Sequence, residues 1–163
     1  MSGIFDGDDE FSAEEPAESP GGFGPIDAGS LRDIREVFAQ EEQLVESATL
    51  APPLDPHVLR IELADGIGPA ESARFDVRWS LADNYAFHYT DDEEVDFRFD
   101  RHPKPDAPTI HFHTPPDAPR KPVEASCIRV TESSLVARAV LKLWRGAYEH
   151  GSFDGLNEAE DPS

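Results

Sequence analysis

Histidine and arginine side chains concentrate between residues 74 and 113, and they are the residues of this chain whose types could do chemistry. Four of the six histidines fall between residues 88 and 113. An imidazole exchanges a proton near neutral pH, and a guanidinium can hold a phosphate or a developing negative charge. The stretch therefore favours acid–base chemistry supported by arginine. The candidate catalytic residues are His88, Arg98, Asp100, His111 and His113.

The pair His111 and His113 also raises the question of a metal site, because two histidines two residues apart lie on one face of a strand. Asp117 follows His113 by four residues and is a candidate third ligand. However, Pro115-Pro116 would break the strand that this spacing requires. We therefore predict no metal ion and no other cofactor. A further interpretation stays open, in which the polar residues only solvate an exposed sheet face.

Apolar and polar side chains alternate through this stretch, as in the run from Phe75 to Leu81. Alternation with a period of two is typical of half-buried strands, which turn one face to the core and the other to water. The candidate catalytic residues occupy the polar positions of this alternation in their strands. We therefore expect them to face water and to come together in one hollow of the sheet.

The register of the two hairpins in this stretch is restricted, because facing residues must share a side of the sheet. Pairing Leu81 with Tyr85 leaves a three-residue loop. Pairing Thr90 with Glu94 also leaves three residues, whereas pairing Thr90 with Asp96 would leave five. We choose the three-residue loops. The aligned sets are then Trp79, Phe87 and Phe97 on the apolar side, and Arg78, His88 and Asp96 on the polar side.

Helical spacing of apolar residues predicts two helices. The first begins at Ser30, with Asp33 as a variant of the capping box, and it ends before Pro52-Pro53. The second covers residues 132–148. Its apolar residues recur at three- and four-residue intervals, which is the pattern of a helix that buries one face.

These elements predict an α+β fold, an antiparallel meander of about five strands with two helices packed on its aromatic face. The first strand of the meander is expected at 58–63. A single domain spans 30–149. The segment 1–29 holds eight carboxylates and no basic residue, so we expect it to be a disordered acidic tail. The segment 150–163 is predicted to be a second acidic tail.

Three cations, Arg138, Lys142 and Arg145, fall on one face of the second helix. They could contact nucleic acid, or they could balance the carboxylates of the domain itself, and we favour the second interpretation. Arg74 and Arg78 of the predicted sheet fall on the same face as the candidate catalytic residues. The candidate nucleic-acid-binding residues are Arg74, Arg78, Arg138, Lys142 and Arg145.

The chain is strongly acidic, with a formal net charge of −20 over 163 residues and only 14 basic side chains. Such a surface suits a salt-saturated cytosol, because salt screens the self-repulsion. We therefore predict a halophilic archaeal source and disfavour an acidic mimic of nucleic acid. One cysteine excludes an internal disulfide and a cysteine-based zinc site. No apolar run is long enough for a membrane span, and no signal peptide is evident, so we expect a cytoplasmic protein with no membrane partner.

The arrangement of the histidine strands resembles the TumE family of toxin–antitoxin proteins. The matching runs are Phe87-His88-Tyr89, an acidic turn, Phe97-Arg98-Phe99-Asp100, His102-Pro103 and His111-Phe112-His113. The similarity covers about residues 58–145. It implies the toxin component of a two-gene module, with a cognate antitoxin encoded nearby as its partner.

Two functions follow as hypotheses. In the first, the chain is a toxin that acts on RNA without a metal ion. Arg78, Arg98 and His88 would contact the phosphate, and His111 or His113 would transfer a proton from a ribose hydroxyl. Such an enzyme would be a ribonuclease-type toxin. In the second, the chain is a non-catalytic protein-interaction module of a halophilic archaeon.

Overall fold

The computed structural model describes residues 23–103 and 107–158. Residues 1–22, which belong to the predicted N-terminal tail, lie outside the described residues. The same holds for residues 159–163 of the predicted C-terminal tail.

Two helices and one antiparallel sheet make up the described part of the chain, and this confirms the α+β prediction. The sheet is a meander in which each strand pairs with the next one along the chain. The elements are α1 (Ala28–Glu41), β1 (Val45–Ala51), β2 (Val58–Leu63), β3 (Ala73–Trp79), β4 (Tyr85–Asp91), β5 (Asp96–Arg101), β6 (Ile110–His113), β7 (Glu124–Ala125) and α2 (Ser133–His150).

The described sheet has seven strands rather than about five. The first additional strand is β1, which lies where we expected the end of the first helix. The helix instead ends at Glu41, and the side chain of Glu42 accepts a hydrogen bond from the backbone N–H of Leu44 (3.0 Å). The β-branched residues that follow favour a strand. The second additional strand is β7, which pairs with β6 and lies beyond the alternating stretch from which we predicted the sheet.

The first helix begins earlier than its sequence signal. Its N-cap is Asp27, whose carboxylate accepts a hydrogen bond from the backbone N–H of Ser30 (3.2 Å). Ser30, the expected first residue, therefore lies in the first turn. An aspartate at this position satisfies one of the backbone donors that every helix start leaves unpaired. The second helix ends at His150 and is followed by the cap residue Gly151, which adopts the left-handed conformation (φ 67°) favoured after a helix end.

The register of the first hairpin differs from the prediction by two residues. Trp79, not Leu81, pairs with Tyr85. The longer loop is stabilised from inside, because the hydroxyl of Ser80 accepts a hydrogen bond from the backbone N–H of Asn84 (3.1 Å). Asp83 takes the left-handed conformation (φ 63°) in this loop.

The second hairpin also has the five-residue loop that we weighed and set aside, with Thr90 paired to Asp96. The carboxylate of Asp91 accepts hydrogen bonds from two backbone N–H groups of this loop, those of Glu93 (2.9 Å) and Val95 (3.2 Å). A shift of two residues preserves the face of every side chain. The predicted alignments are therefore wrong in register, although the parity is right.

The core lies on the aromatic face of the sheet. The ring of Phe38 in α1 lies 5.6 Å from that of Phe75 and 6.5 Å from that of Phe87. Leu156, within the predicted C-terminal tail, is 3% exposed and belongs to the same core. Ile26, within the predicted N-terminal tail, forms an isolated bridge with Ser80 of the sheet.

Candidate active site

The candidate catalytic residues lie in two neighbouring rows that cross β4, β5 and β6 on the face opposite the aromatic core. The first row pairs His88 with Arg98, and Arg98 with His113. The second row pairs Asp100 with His111. The structure thus brings all five predicted residues together, as the shared parity led us to expect.

Three of the five residues do not face water. His111 and His113 are 0% exposed and Asp100 is 7% exposed, so the expectation of water-facing histidines is wrong at these positions. The proline-rich segment on either side of β6, residues 107–109 and 114–122, folds over this end of the sheet. The carbonyl of Pro116 accepts a hydrogen bond from the backbone N–H of Asp96 (2.6 Å). This segment has no periodic pattern, so its path could not be read from the sequence.

Backbone carbonyls of prolines hold both buried imidazoles. The Nδ1 of His111 lies 3.0 Å from the carbonyl oxygen of Pro108, and the Nδ1 of His113 lies 2.8 Å from that of Pro119. A carbonyl can only accept, so each Nδ1 carries the proton. The Nε2 atoms consequently point towards Asp100, with the carboxylate Oδ2 at 3.5 Å from His111 and 3.1 Å from His113.

Arg98 connects this buried group to the surface. Its Nε lies 3.0 Å from Asp100 Oδ2, its Nη2 lies 3.1 Å from His113 Nε2, and its side chain is 30% exposed. Burial alone would raise the pKa of Asp100, but the charge of the Arg98 guanidinium holds that pKa well below its usual range. Asp100 is therefore ionised and fixes one side of the guanidinium.

His88 is the accessible histidine of this group. Its Nε2 lies 3.0 Å from Asp96 Oδ1, and the two side chains are 34% and 33% exposed. Partial burial and the charge of Arg98 lower the pKa of His88, and they outweigh the opposite effects of Asp96 and Asp76. His88 is consequently neutral at neutral pH and able to accept a proton.

Asp96 was not among the candidate residues, although it shares their parity. The predicted register aligned Asp96 directly with His88, whereas the five-residue loop places it diagonally across from His88. Diagonal neighbours on adjacent strands remain within reach of long side chains. The alternation therefore put the two side chains on one face in either register.

Two of the five candidate nucleic-acid-binding residues lie on the same face as His88. Arg74 and Arg78 flank Asp76, the residue that pairs with His88 on β3. The Nε of Arg74 lies 3.1 Å from the carboxylate of Asp76, and the guanidinium of Arg78 lies 4.2 Å from the ring centroid of Phe23.

The other three candidates lie on α2, away from the histidines. Arg138 pairs with Glu41 at 2.7 Å, and Arg145 pairs with the buried carboxylate of Glu42. Both carboxylates belong to the end of α1, whose Phe38 packs on the aromatic face of the sheet. Lys142 lines the same hollow between the helices. These contacts support the interpretation that the helix cations balance the domain's own carboxylates.

A comparison with protein families matches residues 34–148 to the family described as Toxin TumE. The chain belongs to the TumE toxin family. The match covers most of α1, the whole sheet and nearly all of α2, so it includes all five candidate catalytic residues. Neither the curated proteins nor the solved structures contain a match to this chain. Among the described residues of this TumE-family chain, no helix is long and apolar enough to cross a membrane.

Proposed function

We propose that this TumE-family chain is the toxin of a two-gene toxin–antitoxin module and that it cleaves RNA by acid–base chemistry of its own side chains. The observation that carries the proposal is the environment of His88. This imidazole is accessible, has a lowered pKa and is oriented by Asp96 next to the guanidinium of Arg98. A neutral base beside a fixed cation is the minimum that RNA transesterification requires.

In the proposed reaction, His88 takes the proton from a ribose 2′-hydroxyl. The 2′-oxygen forms a bond to the adjacent phosphorus while the bond from phosphorus to the 5′-oxygen breaks. The leaving 5′-oxygen takes a proton from water. Arg98 neutralises the negative charge that develops on the phosphate oxygens. The products are a 2′,3′-cyclic phosphate and a 5′-hydroxyl, and general base help of this kind contributes roughly 10²–10⁴-fold to the rate.

The buried residues take a supporting part in this proposal. His111 and His113 are 0% exposed, so they cannot contact RNA in this arrangement. Asp100 and His113 contact the guanidinium of Arg98, and His111 lies against Asp100. We therefore assign catalytic roles to His88 and Arg98, and positioning roles to Asp96, Asp100, His111 and His113.

Arg74 and Arg78 are the proposed contacts for the flanking phosphates of the RNA. They lie two residues to either side of Asp76, which pairs with His88 across the strands. A single-stranded backbone that places one phosphate on Arg98 would pass close to this strand. Contacts of arginine with phosphate position the RNA without selecting its sequence.

The family and the charge of the chain support a proposal for its partner and setting. We propose that an antitoxin encoded beside this gene neutralises the toxin, and that both act in the cytoplasm of a halophilic archaeon. The net charge of −20 would repel RNA at low ionic strength, whereas concentrated salt screens this repulsion. Arg98 acts at short range, where screening is weaker.

Controlled expression in a halophilic host tests the proposal, with total RNA sequenced from its newly formed ends. We expect growth arrest and fragments with 5′-hydroxyl ends on induction of the wild-type chain, and neither effect with His88→Gln. The matched control is His57→Gln, because His57 also pairs with an aspartate, Asp55 at 3.4 Å, but is 66% exposed in its side chain and lies outside the site. Intact RNA after induction of a toxic wild-type chain would contradict the proposal and favour a non-catalytic interaction protein.

A further inference from the structure

We propose that Asp100, His111 and His113 form a binding site for one divalent metal ion of the zinc class. The site goes beyond the proposed function, in which these three residues only position Arg98 and hold no metal ion. One ligand atom from each residue lies within 4.8 Å of the others, and all three residues are buried. Two imidazoles and a carboxylate are a common ligand set for such ions.

The backbone prepares the two imidazoles as ligands. Their Nδ1 atoms donate to the carbonyls of Pro108 and Pro119, so in the neutral rings the lone pairs lie on Nε2, on the side of Asp100. Histidines that bind metals nearly always donate their second N–H in this manner, which fixes the tautomer and the orientation of the ring.

The distances fit an ion between the ligands. Bonds of about 2.0–2.1 Å in a tetrahedral arrangement separate neighbouring ligand atoms by about 3.3–3.4 Å. Asp100 Oδ2 lies 3.1 Å from His113 Nε2 and 3.5 Å from His111 Nε2. Asp100 would therefore need only small shifts to share an ion with either imidazole, and one ligand atom of each of the three residues lies within 4.8 Å of the others.

The buried carboxylate and the unpaired imidazole nitrogen of the cluster also favour a bound cation. His111 Nε2 is buried and has no hydrogen-bond partner among the described residues, which is unfavourable for a polar atom inside a protein. A divalent ion satisfies both lone pairs and the carboxylate together.

Arg98 competes with the metal ion in this arrangement. Its Nη2 lies 3.1 Å from His113 Nε2 and its Nε 3.0 Å from Asp100 Oδ2, so it supplies the positive charge to two of the three proposed ligands. Its side chain reaches the surface and can withdraw. Removal of the guanidinium is therefore expected to tighten metal binding.

The metal prediction from sequence considered a different third ligand. Asp117 is exposed and does not belong to the cluster. Asp100 does, because β5 and β6 place it directly opposite His111. That pairing could not be read from the spacing of the histidines alone.

The test uses the purified full-length chain, stripped with a chelator and titrated with Zn²⁺ and with Co²⁺ in concentrated potassium chloride, which suppresses weak binding to surface carboxylates. We expect one equivalent of Zn²⁺, a visible Co²⁺ absorption typical of imidazole and carboxylate ligands, and a higher Tm with metal. His111→Gln should weaken binding at least about tenfold, Arg98→Gln should strengthen it, and His57→Gln should change nothing. A wild-type chain that binds no more Zn²⁺ than His111→Gln would overturn the proposal.

Two comparisons separate this proposal from the proposed function. His88→Gln should bind Zn²⁺ like the wild type even if RNA is not a substrate. A metal-stripped wild-type chain should still cleave RNA if the His88 step is correct. If His111→Gln fails to fold, the Co²⁺ spectrum of the wild type and the gain of affinity in Arg98→Gln decide the question.

Discussion

The imidazole of His88 and the carboxylate of Asp96 meet across β4 and β5, with 3.0 Å between Nε2 and Oδ1. They are diagonal neighbours, since the residue directly opposite His88 is Arg98. His88 therefore touches an anion on one side and lies next to a cation on the other. The carboxylate orients the ring, while burial and the charge of Arg98 together lower the pKa of His88.

Replacement of Asp96 by asparagine should lower the pKa of His88 further, because the carboxylate is one of the groups that raise it. RNA cleavage should fall by about tenfold, less than the roughly 10²–10⁴-fold effect of the base itself. An NMR titration of the histidine ring protons measures the pKa directly. The control is Asp55→Asn, which removes the exposed partner of His57 and should leave the pKa of His88 unchanged.

The lowered pKa of His88 also predicts how stability depends on pH. Below pH 6.5, the ordinary value for histidine, the unfolded chain binds a proton that the folded chain resists. The unfolded state then binds more protons, so the free energy of unfolding decreases as the pH falls from 6.5 through the lower, folded-state pKa. Above 6.5 both states are neutral at this residue and the effect vanishes.

Urea unfolding of wild type and His88→Gln between pH 5 and pH 7.5 measures this contribution as the difference between the two chains. The difference should change with pH below 6.5 and be constant above it. Since Asp96, Asp76 and Arg98 face His88, the same series in Asp76→Asn should show a larger loss at low pH, because that carboxylate raises the pKa. A pH-independent difference would contradict the lowered pKa.

The register of the second hairpin can be checked by a double-mutant cycle in the core. Phe97 stacks on Tyr89 with ring centroids 4.7 Å apart, and the two residues are cross-strand partners. A coupling of about 0.5–1.5 kcal/mol is expected for the Tyr89 and Phe97 pair. The three-residue loop would instead pair Phe97 with Phe87. A larger coupling for Phe87 and Phe97 than for Tyr89 and Phe97 would favour that register.

The helix cations should matter for stability and not for RNA. Arg145 pairs with Glu42, whose side chain is 4% exposed, so Arg145→Met leaves a buried carboxylate without its partner. We expect a loss of about 1–3 kcal/mol, less than for a fully buried pair because Arg145 itself is partly exposed. Arg138→Met breaks a pair in which both side chains are more than 40% exposed and should change stability by less than about 1 kcal/mol.

Chemical unfolding measures both effects, and cleavage of RNA by the folded variants provides the second readout. Equal rates for wild type, Arg138→Met and Arg145→Met would agree with a role in balancing charge. Slower cleavage by both variants at unchanged stability would instead assign these cations to RNA binding.

The sequence alone predicted which side chains lie on each face of the sheet, because the alternation from Phe75 to Phe112 indicates which side of each strand packs on the core. The register was not predictable to better than two residues. It depends on hydrogen bonds that backbone N–H groups of the loops donate to the side chains of Ser80 and Asp91, and a three-residue loop satisfies parity equally well.

The burial of the histidines could not be predicted for a different reason. Alternation shows that His111 and His113 leave the aromatic core, but it does not show what lies on the other side. The cover is an irregular proline-rich segment, whose carbonyls at Pro108 and Pro119 bind the two rings. His88 and Arg98 lie beyond this cover, and for them the expectation of an accessible polar face is confirmed by their exposure.

The most direct test of His88 as the base is the pH dependence of single-turnover cleavage of a short RNA by the purified, metal-stripped chain. We expect the rate to fall on the acidic side with a midpoint below pH 6.5, equal to the pKa that NMR assigns to His88, and we expect His57→Gln to give the same profile. A profile whose acidic midpoint differs from the His88 pKa, or cleavage by His88→Gln at the wild-type rate, would contradict the assignment.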